Sequence, residues 1–272
     1  NAPGLLDVNA REAKACRPAG VASIVPARPM PPIALQLWSL KDDVARDFAG
    51  TVARVAEIGY TGVELAGYGN LDARGVRSAL DAAGLKVAGM HVIAPVLRAE
   101  PERVLQEALL LGTKHITVPW WPPELFVSAA MAEKIGEELN AFGARVRAHG
   151  IQLSYHHHAH ELQRFNGRTA LDLILGAAEP RNLAGEFDVY WLQVGGVDPV
   201  RALRDYGARV KLVHLKDETE LGSGPVNFNA VFAALDEIGS VDWQIVEQER
   251  FNHEPLESVR RCYEQLRAWG RV

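Results

Sequence analysis

Cysteine is scarce: Cys16 and Cys262 are the two in 272 residues, too few for a disulfide framework and wrongly spaced for a C-x-x-C metal pair. Long apolar runs are missing too. No stretch approaches the roughly 18 to 20 residues a membrane-spanning helix needs, so no membrane partner is expected. There is no basic excess either, with 29 Lys and Arg against 34 Asp and Glu for a formal charge of -5. A chain so balanced lacks the footprint of a phosphate-backbone binder, which argues against nucleic acid. No G-x-G-x-x-G follows the first strand-like run, so the main support for a doubly wound dinucleotide fold is absent.

What is present is alternation. With 48% hydrophobic residues the chain can bury a full core, and a barrel of about 250 residues uses nearly all of it. From Ile33 onward, short β-rich runs at 33–38, 61–65, 85–92, 115–120, 151–157, 183–188, 210–215 and 242–248 alternate with amphipathic stretches. Phe48, Val52, Val55 and Ile58 form one helical stripe, and Gly59, Gly84, Gly112 and Gly150 recur where such helices stop. Eight such units predict a single-domain α/β (β/α)8 TIM barrel over 33–272, with residues 1–32 as an extended N-terminal arm. That arm begins with Asn1 and is rich in Ala and Pro. It reads as the remainder of a periplasmic or otherwise exported precursor in preference to a cytoplasmic start. Gly222-Ser223-Gly224, after the seventh run, reads either as a turn or as a phosphate cradle.

In a parallel barrel all strand ends open on one face, so residues distant in sequence converge. Glu64, Asp188, His214 and Glu247 each close a strand run, His91 closes the third, and LSYHHHAHE closes the fifth with His156, His158 and Glu161. Alternation puts His156 and His158 on one face and Tyr155 and His157 on the other. A buried carboxylate needs a cation, yet no Lys or Arg ends the fifth or eighth run to neutralise both Asp188 and Glu247. Asp, His and Glu on three consecutive strand ends suit Mn²⁺, Zn²⁺, Co²⁺ or Mg²⁺. Trp38, Trp120, Trp121, Tyr190 and Trp191 crowd the same rim, as a carbohydrate-sized pocket would require.

LQLWSLKDD, IGYTGVELAGY, YHHHAHE, EFDVYW, VHLKD and IVEQER, in this order, resemble the xylose-isomerase-like TIM barrels, the sugar phosphate isomerase/epimerase family. The resemblance covers about 33 to 270. It implies a divalent metal at the ends of strands five to eight and proton transfer next to a sugar carbonyl, with isomerase, epimerase or lyase outcome. Asp188, His214 and Glu247 match three ligands of the keto-sugar 3-epimerases, while His156 stands where those carry a glutamate. The Y-H-x-H pattern looks instead like keto-inositol dehydratases and barrels acting on 3-keto-sugars. The expected metal ligands are therefore His156, Asp188, His214 and Glu247, with Glu161 as the alternative to His156. His158, Glu161, Lys216 and Glu247 are the expected acid/base and oxyanion groups. Trp38, Glu64, His91, Trp120 and Trp191 are expected to bind substrate. The partner is a small sugar or keto-sugar, with further copies of the chain as a homo-oligomer at most. Two rivals remain: a non-catalytic carbohydrate-binding barrel, and a phosphodiesterase of the apurinic-endonuclease type, which needs more zinc ligands and a basic groove.

Overall fold

A computed structural model describes residues 30–272. Eight parallel strands close into a barrel: Ile33–Gln36, Gly62–Leu65, Lys86–His91, His115–Val118, Gln152–His156, Leu183–Asp188, Val210–Leu215 and Trp243–Val246. The first strand pairs with both the second and the eighth, which completes the ring. Most of the expected N-terminal arm, residues 1–29 with Cys16, lies outside the described residues. Pro32 already belongs to the barrel edge, its carbonyl accepting from the Gln244 amide at 3.1 Å.

Several strands end earlier than the apolar runs in the sequence. The run 33–38 stops at Gln36 because Leu37–Leu40 winds into a 3-10 turn whose first free amide, Trp38 N, donates to the Gln36 side chain at 3.0 Å. The run 115–120 stops at Val118, just before Pro119, which has no amide to give the ladder. Each early stop places an aromatic, Trp38 or Trp120, on the rim.

The helices pack as their stripes require. In Phe48–Ile58, Phe48, Val52 and Val55 are fully buried, each contributing about 1.5–3 kcal/mol by leaving water. Helices Ala73–Ala83 and Pro101–Leu111 end at Gly84 and Gly112, both left-handed at φ 71° and 72°, a conformation that costs glycine little. No helix among the described residues is long and apolar enough to cross a membrane.

The apolar core is split in two. A large cluster fills the space between strands and helices. A small plug of Ala34, Ala88, Leu212 and Ile245, with Trp243 against it, fills the lower barrel interior. Polar side chains occupy the interior above this dry floor, and the site is built there.

Candidate active site

Register brings the strand ends together. Asp188 lies opposite His214, and His214 opposite Ile245, so Glu247 follows two residues later on the same inward face. His156 lies opposite Glu186 on the adjacent strand. As a result His156, Asp188, His214 and Glu247 each offer a ligand atom within 4.8 Å of the other three, and all four are buried. Two polar atoms in this set have no hydrogen-bond partner, Asp188 Oδ2 and His156 Nδ1.

The electrostatics of the set point the same way. Burial raises the Asp188 carboxyl to about 7 in spite of Lys216 and His214 nearby. Burial and the neighbouring His214 and His158 hold His156 well below the usual imidazole range, which leaves it neutral with a lone pair to give. Glu247 is also raised by burial, but Lys216 and His214 outweigh this and keep it well below the ordinary carboxylate range. A buried carboxylate short of positive charge beside an unpartnered neutral imidazole is a fitting donor set for a divalent cation, two oxygens and two nitrogens.

A second polar layer lies directly beneath. His214 Nε2 meets Glu186 Oε1 at 2.7 Å and Glu64 Oε2 at 2.8 Å, while its Nδ1 faces Glu247 Oε2 at 3.1 Å in the upper set. His91 Nε2 reaches the same two carboxylates at 2.9 and 3.2 Å. Gln36 donates to Glu64 at 2.7 Å, and Thr117 donates to Glu186 at 2.7 Å. Glu64, His91, Glu186 and His214 also lie within ligand range of one another, but here the rings and carboxylates are already paired. Burial lowers His91, yet Glu64 and Glu186 prevail and push it up to about 10. The geometry is that of carboxylates holding the far nitrogen of a histidine whose other nitrogen faces the upper set, which fixes its tautomer and ring plane.

Glu64 is thus corrected from its expected place at the substrate: it is fully buried, one layer below the cavity, and touches Gln36, His91 and His214. Room for it comes from Gly89 on the next strand, where an added Cβ would lie 2.7 Å from Glu64 Oε1. Glu186, Gln36 and Thr117 were not expected from the sequence. The period of two that places Asp188 inward also places Glu186 inward, and this signal would have found it.

A cavity of about 360 Å³ opens above the upper set, and Trp38, His91, Trp120, His156, His158 and Glu247 are among its walls. Trp38 and Trp120 are 45% and 43% exposed. Trp121 instead is buried, with Arg98 over its ring. Trp191 does not line the cavity as expected; it stands behind it, 5.4 Å from the His158 ring and 4.9 Å from Lys216 Nζ. The helix Val189–Val194 starts on Asp188, whose side chain accepts from the Trp191 backbone amide at 2.8 Å. His158 Nδ1 has no partner.

Glu161 is the other correction. The chain turns back after strand five through a short 3-10 turn, His160–Leu162, and buries Glu161 completely. Its carboxylate accepts from the Tyr155 hydroxyl and the His158 amide, both at 2.8 Å, with His160 Nε2 at 3.1 Å. So occupied, the carboxylate closes its own loop, and Glu161 is absent from the four-residue set. Lys216, only 2% exposed, spans Glu247 at 3.2 Å and Glu249, so the cation missing from strands five and eight comes from strand seven. The Gly222-Ser223-Gly224 segment is a turn: the Gly222 and Gly224 amides donate to Asp217 Oδ2 at 3.1 and 3.0 Å.

Known proteins share this architecture. An inosose dehydratase from Lacticaseibacillus casei is 26% identical over 142 residues, covering 43% of this chain and 47% of that protein, so the match spans about half of the relative's length. A sugar phosphate isomerase/epimerase structure from Parabacteroides distasonis superposes with TM-score 0.80 at 24% identity, over 93% of this chain and 98% of the other. D-allulose 3-epimerase from Methylomonas sp., in complex with D-allulose, gives 0.69 at 15% identity over 88% and 97%. At these identities the structural likeness is one of fold. The sequence profile of the xylose isomerase-like TIM barrel matches residues 52–269, from the first long helix to the last. A match of that extent, on a closed eight-stranded barrel, means that the chain belongs to the xylose isomerase-like TIM barrel family.

Proposed function

We propose that the protein is a divalent-metal-dependent sugar enzyme that removes the proton next to a ketone of a sugar or keto-sugar, as an isomerase, epimerase or lyase. The observation that carries this reading is the buried four-residue set beneath an open cavity, with Asp188 Oδ2 and His156 Nδ1 unpartnered. A cation held by His156, Asp188, His214 and Glu247 would supply Lewis acidity at the substrate carbonyl.

The chain's own groups supply the rest. Trp38 and Trp120 present ring faces to the C–H face of a sugar, and His91 borders the same space. His158, with a free Nδ1 at the cavity wall, takes the proton. Lys216, clamped between Glu247 and Glu249, is positioned to donate a hydrogen bond to charge developing on the carbonyl oxygen. An isomerase and a lyase share this first step, and what returns or leaves next decides between them. A carbohydrate-binding barrel without catalysis would need the aromatics but not four converging ligands.

The test is a screen of keto-sugars and keto-inositols with Mn²⁺, Zn²⁺, Co²⁺ or Mg²⁺ in D₂O, followed by NMR. Deuterium should enter at the carbon next to the carbonyl. Asp188→Asn should lose metal affinity and exchange together. Full exchange in an Asp188→Asn protein that binds no metal would end the metal-dependent reading.

A further inference from the structure

Barrels of this architecture commonly bind phosphate in the loop after strand seven, and here the protein's own carboxylate occupies that position. Asp217, 2% exposed, takes the amides of Gly222 and Gly224 on Oδ2 and that of Glu218 on Oδ1 at 3.0 Å. The cavity offers no replacement, since among the described residues its walls contain no Lys or Arg. Lys216 is already shared by two carboxylates, so it has a hydrogen bond to give a carbonyl oxygen but no net charge left to offset a phosphate dianion.

A second cavity of about 340 Å³ adjoins the first, with Trp38 and Glu249 lining both. Phe251 and Leu40 give it apolar surface, while Asp42, Asp43 and Lys41 give it polar edges. The Lys41 ammonium lies 4.5 Å from the centroid of the Trp38 ring, and Asp43 is held by Arg46 at 2.7 Å. The carboxylates of Asp42, Asp43 and Glu249 are matched by Lys41, Arg46 and Lys216, so a dianion entering here would find no excess of positive charge to offset its own. Hydroxyl groups would meet acceptors and a donor, and ring C–H faces would meet Trp38 and Phe251.

We infer that the two cavities together take a neutral, unphosphorylated two-ring substrate, a glycoside whose reacting ring lies over the four-residue set and whose second ring lies between Trp38 and Phe251. Which ring reacts rests on the function proposed above; that both rings bind does not. Each cavity is large enough on its own for a small ligand, and because Trp38 and Glu249 line both, the two lie side by side at a spacing that suits a molecule with two rings.

Saturation-transfer NMR on the full chain, with cellobiose, glucose and glucose 6-phosphate as probes, tests the inference. Both rings of cellobiose should receive saturation, cellobiose should bind about tenfold more tightly than glucose, and glucose 6-phosphate should bind more weakly than glucose. Phe251→Ala, a change in a partly exposed loop residue, should remove most of the saturation on one ring only; Asp42→Asn, a second exposed position, should weaken cellobiose and ease the penalty on the phosphate. Saturation confined to one ring, no binding of any probe, or glucose 6-phosphate binding as well as glucose overturns the inference. Binding of both rings without proton exchange on any ketone would leave it standing and remove the proposed chemistry. Exchange that prefers phosphorylated ketoses would do the reverse.

Discussion

Glu186→Gln is the sharpest probe of how the site is built, because it changes one charge and almost no volume in a residue that touches no solvent. The Glu186 carboxylate receives three short contacts, His214 Nε2 at 2.7 Å, His91 Nε2 at 2.9 Å and Thr117 Oγ1 at 2.7 Å, and a longer one from His156 Nδ1 at 3.4 Å. An amide has one acceptor oxygen and an NH₂ that must then face at least one of these donors. The folded state should therefore lose about 1–3 kcal/mol, the cost of stranding a buried polar group. His214 also loses the partner that orients its far nitrogen, a change that typically costs 10–100-fold in metal affinity, or about 1.4–2.7 kcal/mol. Calorimetry with Mn²⁺ measures this directly, with near-UV circular dichroism as the check on folding. Thr117→Val removes only the one hydrogen bond that an uncharged donor makes to the same carboxylate and should give a smaller loss of affinity if the larger change fails to fold. An unchanged Mn²⁺ affinity in folded Glu186→Gln would refute the positioning role. Two tightly bound Mn²⁺ per parent chain would also refute it, since the lower layer would then be holding an ion itself.

Other outcomes follow from the same geometry. His158→Asn should keep the metal bound but slow proton exchange by about 10²–10⁴, and exchange at the parent rate would rule that residue out as the base. Burial raises Glu161, but its contacts with His160 and Tyr155 outweigh this and hold its value below 4.5. Its ionised form therefore stabilises the loop fully above pH 4.5, and that contribution fades as pH falls through the lower folded value. Hydrogen exchange of 157–165 should quicken on acidification in the parent, and Glu161→Gln should be quick already at neutral pH, at a cost of about 1–3 kcal/mol; equal protection in the two proteins at pH 7 would contradict this. Gly89→Ala should force the Glu64 carboxylate aside, costing about 1–3 kcal/mol in chemical denaturation, whereas an unchanged midpoint would show that the barrel yields there freely.

The parts of this site that were legible in the sequence are those governed by strand periodicity. Alternation placed His156 inward and Tyr155 and His157 away, and the structure has His156 in the four-residue set, Tyr155 in the outer core and His157 accepting from the Asp188 amide at 3.3 Å. The same rule, run two residues back from Asp188 and from Trp38, would have yielded Glu186 and Gln36. Neither closes its run, so the strand-end rule alone does not single them out. Loop geometry was not legible. Nothing in HHHAHE says whether Glu161 folds over the mouth or under its own loop. The decision falls to the Tyr155 hydroxyl and the His158 amide, two donors that only the folded chain brings to one point.

Satisfaction of hydrogen bonds, more than proximity, separates the two polar layers. Both contain two carboxylates and two imidazoles within ligand range, and His214 belongs to both. Below, every imidazole has a carboxylate partner, and the one leftover atom, Glu64 Oε1, sits beside Gly89. Such a layer is stable as it stands, with protons balancing its charge. Above, the atoms without a hydrogen-bond partner are Asp188 Oδ2 and His156 Nδ1, the latter 3.4 Å from Glu186 Oε1, and their two residues belong to one candidate ligand set. A buried unpaired carboxylate oxygen beside a buried unpaired imidazole nitrogen is costly unless something positive joins them. The lower layer turns His214 so that its second nitrogen faces that same gap, which is why a carboxylate pair with no access to substrate can govern what binds there.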